Sequence, residues 1–172
     1  EPFYDDHREK ALIVSNRVSR SNIDPSMGDY RRILGDLVSA VGTILNSSDT
    51  KVSKVVVAGF ASPEGSFEIN DRLAWERAVA VKEYITRNTR LPGHQIQLYN
   101  GSEDWRGLRA MVAASDLYEK QQILDIIDHV PLMSPDGRQK VRLQQLRELN
   151  GGRTYRYLLE NYFPKLRNGA FI

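Results

Sequence analysis

The stretch from Lys54 to Tyr84, KVVVAGFASPEGSFEINDRLAWERAVAVKEY, constrains the fold more than any other part of the chain. It opens on Val55, Val56, Val57 and Ala58, an apolar and mostly β-branched run of the length of a buried strand. Gly59 is expected to end that strand, and Ala61, Ser62, Pro63, Glu64, Gly65 and Ser66 carry turn chemistry. Ser66 stands where a helix N-cap is expected, and Glu68 puts a carboxylate in the first turn, where the helix dipole favours it. Ile69, Leu73, Val81 and Ile85 then recur at helical spacing. The order is strand, tight loop, helix.

Two polar residues of that helix matter most. Asn70 and Arg77 are seven positions apart, two turns, and so lie on nearly one stripe. A long helical side chain leans toward the N-terminus, which aims the Arg77 guanidinium at the loop 60–66 and the unpaired N–H groups of the first turn. An Arg, backbone donors and the positive end of a helix dipole together suit a carboxylate or phosphate. The plainer alternative is that Arg77 pairs with Glu76, Glu83 or Glu64 on a solvated face.

The run Asn70-x-x-Leu73-Ala74-x-x-Arg77-Ala78-x-x-Val81 resembles the N-x-x-L-S-x-x-R-A-x-x-V signature of OmpA-like C-terminal domains. In that family a loop of the form G-H-T-D-x-x-G precedes the helix, and here Gly59-Phe60-Ala61-Ser62-Pro63-Glu64-Gly65-Ser66 takes its place. Ala74 replaces the usual Ser, and Ser62 stands where the family has Asp. The resemblance implies a two-layer α/β (α+β) sandwich of βαβαβ(α)β order, with a mixed sheet and helices on one face. It also implies a non-catalytic module that grips the diaminopimelate of a peptidoglycan stem peptide, tethering an outer-membrane protein to the wall from the periplasm. Carried over, Arg77 is the carboxylate anchor, Asn70 a polar neighbour, and Gly65 and Ser66 backbone donors. Glu64 then stands in for the missing Asp, with Ser62 a neutral contact.

The rest of the chain fits one large domain. Residues 1–10 are charged and read as a linker; 11–172 read as a single domain carrying a helical insertion over 104–163. Ala11 to Val14 is a short strand that extends at most to Val18, followed by turn residues Ser21 to Pro25. From Gly28 or Asp29, the residues Tyr30, Ile33, Leu34, Leu37, Val38, Val41, Ile44 and Leu45 form a helical stripe that stops at Asn46. Gly35 and Gly42 beside it suggest close packing on a sheet. Ile96 to Tyr99 is a third strand, and right-handed crossovers place both helices on one face. The loop after the Val55 strand then lies at a strand's carboxyl end, where open α/β sheets bind ligands.

Beyond Asn100 the pattern turns helical, over 104–115, 117–129, 137–149 and 153–163, with breaks at Pro131, Pro135 and Gly151-Gly152. Ala170 to Ile172 is expected to begin a fourth strand. The chain opens on Glu1 rather than Met, as a mature or excised piece would.

Composition excludes several classes. Twenty-four basic against 22 acidic side chains leave no bulk attraction to nucleic acid, and no apolar run approaches the roughly 18 residues of a membrane span. There is no cysteine, hence neither disulfide nor thiol chemistry. His7, His94 and His129 lack metal-ligand spacing, so neither metal nor cofactor is expected. Gly59 to Gly65 is not a phosphate loop, since the glycines are too far apart and no Lys follows. Ser62 lacks the glycine frame of a nucleophile elbow. Glu103-Asp104 reads as a helix cap rather than a catalytic pair. Tyr155, Tyr157, Tyr162 and Phe163, interleaved with Arg153 and Arg156, read as helix packing against the sheet.

No enzyme is indicated. Two readings remain: a peptidoglycan-binding module, or an OmpA-fold scaffold that has lost that ligand and meets envelope proteins through its helical insertion.

Overall fold

The computed structural model describes residues 12–15, 29–47, 54–166 and 168–171. Strand β1 (Leu12–Ser15) leads to helix α1 (Asp29–Asn46), strand β2 (Val55–Ala61), helix α2 (Phe67–Asn88) and strand β3 (Ile96–Glu103). Four helices follow: α3 (Trp105–Ala113), α4 (Lys120–His129), α5 (Val141–Glu148) and α6 (Arg153–Asn161). Strand β4 (Asn168–Phe171) closes the order. The expected linker 1–10 and turn 21–25 lie outside the described residues, as do residues 16–18 of the first strand's possible extension.

The four strands form one mixed sheet in the order β1-β4-β2-β3. β4 lies between β1 and β2, antiparallel to both, while β2 and β3 run parallel. This is the βαβαβ(α)β arrangement that the resemblance implied. Leu34, Leu37 and Val41 of α1 share a core with Val55 and Val57 of β2 and with Ala78, Val81 and Ile85 of α2. Both helices therefore cover the same face, that of Val55 and Val57, as right-handed crossovers require.

Several local readings need correction. β2 does not stop at Gly59 but runs to Ala61, because Gly59 brings strand and helix together rather than turning the chain. A Cβ on Gly59 would fall 1.8 Å from the Ala74 carbonyl oxygen and 2.7 Å from the Ala78 nitrogen, so only glycine fits against α2 there. Gly35 and Gly42 do not play that part. A Cβ on either meets no described atom within 4 Å, and Gly35 is exposed. Ile69 is off the buried stripe, at 48% exposure, while Leu73, Val81 and Ile85 are on it. Ser66 holds the N-cap position in extended conformation, but its side chain makes no capping bond.

β3 also runs past Tyr99, to Glu103, and carries a bulge. Gly59 pairs with Asn100 but Ala61 pairs with Glu103, so β3 holds one residue more than β2 over that interval. Ser102 adopts a left-handed φ of 53° at that point. Because strand side chains alternate, one extra residue reverses the face of all that follows. Glu103 is thereby delivered to the α2 side of the sheet.

The helical insertion builds a second core. Trp105, Leu108 and Val112 of α3 meet Ile123, Leu124 and Ile127 of α4, Leu143 and Leu146 of α5, and Leu158 of α6. The aromatic cluster belongs here: Tyr155 meets Phe163 edge-on at 5.6 Å, and the Arg147 guanidinium lies 5.4 Å from the Tyr155 ring centre. These rings pack within the helical lobe, not against the sheet as the sequence suggested. None of the described helices is long and apolar enough to cross a membrane.

The two glycine environments give opposite expectations. Gly59→Ala should lower the unfolding free energy by about 3 kcal/mol or more through overpacking. Gly35→Ala, at an exposed helical position, should raise it by about 0.5–1 kcal/mol. Urea unfolding of the two variants checks both signs.

Candidate functional site

Strand β2 delivers its last residues to a loop whose interior is set by three polar side chains from α2 and β3. Arg77 leaves the buried face of α2 and donates from Nη1 to the Phe60 carbonyl at 2.6 Å. Its guanidinium does reach the loop, as its lean toward the helix N-terminus predicts, but at 2% exposure it lies inside the protein. Glu76 and Glu83 pair with Arg72 and Arg87 on the solvated face instead. Asn70, also buried, donates through Nδ2 to the Glu64 carbonyl at 2.9 Å and to Glu103 Oε2 at 2.7 Å. One carboxamide thus ties the loop to the end of β3.

Glu103 is the centre of the arrangement, and the reading of Glu103-Asp104 as a capping pair holds only for its second member. Asp104 accepts from the Gly107 backbone at 2.8 Å and caps α3. A Cβ on Gly107 would sit 2.3 Å from that carboxylate, so the cap needs glycine at its third position. Glu103, its side chain 1% exposed, accepts from Trp105 Nε1 at 3.2 Å on Oε1. On Oε2 it accepts from Asn70 and from Lys140 Nζ, the latter at 2.6 Å.

Lys140 comes from the helical lobe, at the position just before α5. A self-bonded turn presents it. Ser134 N donates to the Gln139 carbonyl at 2.8 Å, and the Ser134 hydroxyl and Arg138 N both donate to Asp136. Those bonds hold the Asp136 carboxyl below the usual carboxylate range, the Ser134 hydroxyl contributing most. The Lys140 ammonium then enters the loop, donating to the Gly65 carbonyl at 2.9 Å, to the Pro63 carbonyl and to Glu103. An ammonium has three N–H donors, and here three acceptors surround it. Gly65 turns through a left-handed φ of 87°, a conformation that suits glycine.

The sequence-derived residues therefore divide. Asn70, Arg77 and Ser62 are buried; Gly65 and Ser66 are exposed, and Glu64 is half-buried with one carboxylate oxygen enclosed. The loop's carbonyls, rather than its N–H groups, do the visible binding, and what they hold is a cation from this chain. The sequence offers Glu103 only as a helix cap and does not single out Lys140. The turn-like triplet Asn100-Gly101-Ser102 inside a strand was the available signal for the bulge that aims Glu103; nothing local marks Lys140. No group of three His, Asp or Glu side chains among the described residues is placed to hold a metal ion.

Beside this network a cleft of about 570 Å³ opens between the end of β3 and helices α3 to α5. Trp105 lies under the Arg142 guanidinium, 5.1 Å from ring centre to Cζ.

No protein-family model and no curated protein matches the chain. Among solved structures it is similar to the OmpA-like domain of FopA1 from Francisella tularensis subsp. tularensis SCHU S4. The two share 13% sequence identity over 94% of this chain and 70% of that one, with a TM-score of 0.49.

The Glu103–Lys140 pair makes a sharp expectation. Lys140→Met strands a buried carboxylate and should cost about 3 kcal/mol of stability. Adding Glu103→Gln removes the stranded charge, so the double variant should regain much of that loss. A double-mutant cycle by urea unfolding measures it, and additive losses would contradict the pairing.

Proposed function

We propose that this chain is a non-catalytic interaction module of the cell envelope, periplasmic and on the outer-membrane side. In it the loop equivalent to the family's ligand site is filled from within, and the helical lobe is the surface offered to protein partners. The envelope setting comes from the motif resemblance. The observation that carries the rest is Lys140: the three donors of its ammonium are taken up by the Pro63 and Gly65 carbonyls and the Glu103 carboxylate. Arg77 supports the same reading, since a guanidinium at 2% exposure that bonds the Phe60 carbonyl acts as a brace for the loop. A ligand carboxylate would have to reach a guanidinium that is buried and already bonded to the loop.

One feature favours the second reading, a stem-peptide binder. The site that holds Lys140 is already complementary to a primary ammonium, the charge that diaminopimelate presents. Glu103 there supplies the carboxylate that Ser62 does not. In that case Lys140 must leave before ligand enters.

Calorimetric titration of a diaminopimelate-containing muropeptide into the wild-type protein and into Lys140→Ala separates the two. The scaffold reading expects no heat of binding from either protein, each shown folded by circular dichroism. Saturable binding by either one, with NMR shifts in the amides of 60–70, would replace it with the stem-peptide reading.

A further inference from the structure

A second pocket, of about 460 Å³, opens within the helical lobe, between the turn that leads into α4 and the start of α6. Its buried lining is Leu158 and Thr154, both on α6. Two tyrosines also line it. Tyr118 is 99% exposed, so the fold covers almost none of its ring, and a ring left in water adds nothing to folding. Tyr157 is half-exposed, and its ring meets that of Tyr162 edge-on at 6.0 Å. Tyrosine presents an apolar face and a polar tip, the pattern of a surface that awaits a partner.

The polar lining holds both donors and acceptors. Asn150, Gly151 and Gly152 are successively left-handed, with φ of 54°, 65° and 89°. Such a run suits glycine and is tolerated by asparagine. It brings the Asn150 carboxamide to Thr154, where Nδ2 donates to the hydroxyl oxygen at 3.0 Å, and the carboxamide oxygen is left for another donor. Arg153 donates from Nε to the Asn150 carbonyl at 3.4 Å, a long bond that engages one of its five N–H groups. Glu119 stands at the N-cap of α4, yet its carboxylate makes no capping bond. The formal charges of the lining, one Glu and one Arg, cancel. A charged ligand would give up hydration to a lining of no net charge, and an apolar one would leave these groups unsatisfied. A nucleobase would use the rings but offers fewer polar atoms to the rest.

We propose that this pocket binds a neutral saccharide, a pyranose ring lying against Tyr118 and Tyr157 while its hydroxyls donate to Glu119 and Asn150 and accept from Arg153. A pyranose has apolar C–H faces and a rim of hydroxyls that both donate and accept, which matches a lining of tyrosine rings and mixed polar groups. The volume is that of a small-ligand site. The proposal goes beyond the interaction-module reading and is independent of it, since neither the loop 60–66 nor Lys140 lines this pocket.

The test titrates the whole chain with maltotriose, cellotriose and triacetylchitotriose, each to about 10 mM, and follows backbone amides by NMR. Saturable binding of at least one is expected, with shifts in residues 117–119 and 150–158. Tyr118→Ala should weaken that binding about tenfold and Arg153→Gln about fivefold. The Tyr118 variant reads binding alone, because the fold does not rest on that ring. Trp75→Ala, which removes an exposed ring from α2, should leave the affinity unchanged. Circular dichroism confirms that each variant is folded. Failure of all three sugars to bind, unchanged affinity in Tyr118→Ala, or an equal loss in Trp75→Ala would overturn the proposal. So would tighter binding of trigalacturonate, which would mean an anion site at Arg153, or of adenosine, which would mean that the rings stack bases.

Discussion

A carboxylate buried to 1% exposure cannot stand alone, and the joint between the two halves of this protein is built around that constraint. Glu103 receives Trp105 from the helical lobe, Asn70 from the helix packed on the sheet, and Lys140 from the far side of the insertion. The sheet with α1 and α2 has one apolar core, the helices α3 to α6 have another, and the two share no residue. Hydrophobic burial stabilises each half but says little about their orientation. The polar cluster supplies that orientation, because its hydrogen bonds have directions that dispersion contacts lack. A buried ion pair is a poor source of net stability, yet breaking it is costly, and such pairs are well suited to fixing one arrangement over others.

The path from sequence to that joint runs through single residues. Gly59 lets α2 lie close on β2, and that contact places Asn70 and Arg77 beneath the loop. The left-handed Ser102 adds one residue to β3 and turns Glu103 inward. Gly65 and Pro63 shape a loop whose carbonyls face a cation. Each of these is a backbone event, and together they build an ammonium site from a segment with no acidic residue at its Ser62 position.

Much of the architecture was legible in advance. The alternation of a β-branched run, a glycine-rich turn and a 3.6-residue stripe specifies strand, loop and helix with little help from tertiary context, and Asn70 and Arg77 stand out as two polar residues on one stripe of that helix. The lean of a helical arginine predicted where Arg77 would point. It could not predict whether solvent would reach it, because that depends on what covers the loop. Part of what fills the loop is Lys140, 75 residues beyond Gly65, and a contact of that range leaves no periodic trace. Strand ends were misjudged for a related reason. Gly59 and Gly101 look like stop signals locally, and only the helix or ring packed against each shows why a strand continues through it.

The direct test of an internally filled loop is the Lys140 ammonium itself. Proton-detected 15N NMR of the lysine side chains at neutral pH distinguishes an ammonium held by three acceptors from one that tumbles in water. One slowly exchanging NH3+ signal is expected, assigned by its disappearance in Lys140→Arg, with correlations to protons of Pro63 and Gly65. Rapid exchange at Lys140, like that of an exposed lysine, would mean that the loop is open and that the joint is not built as described here.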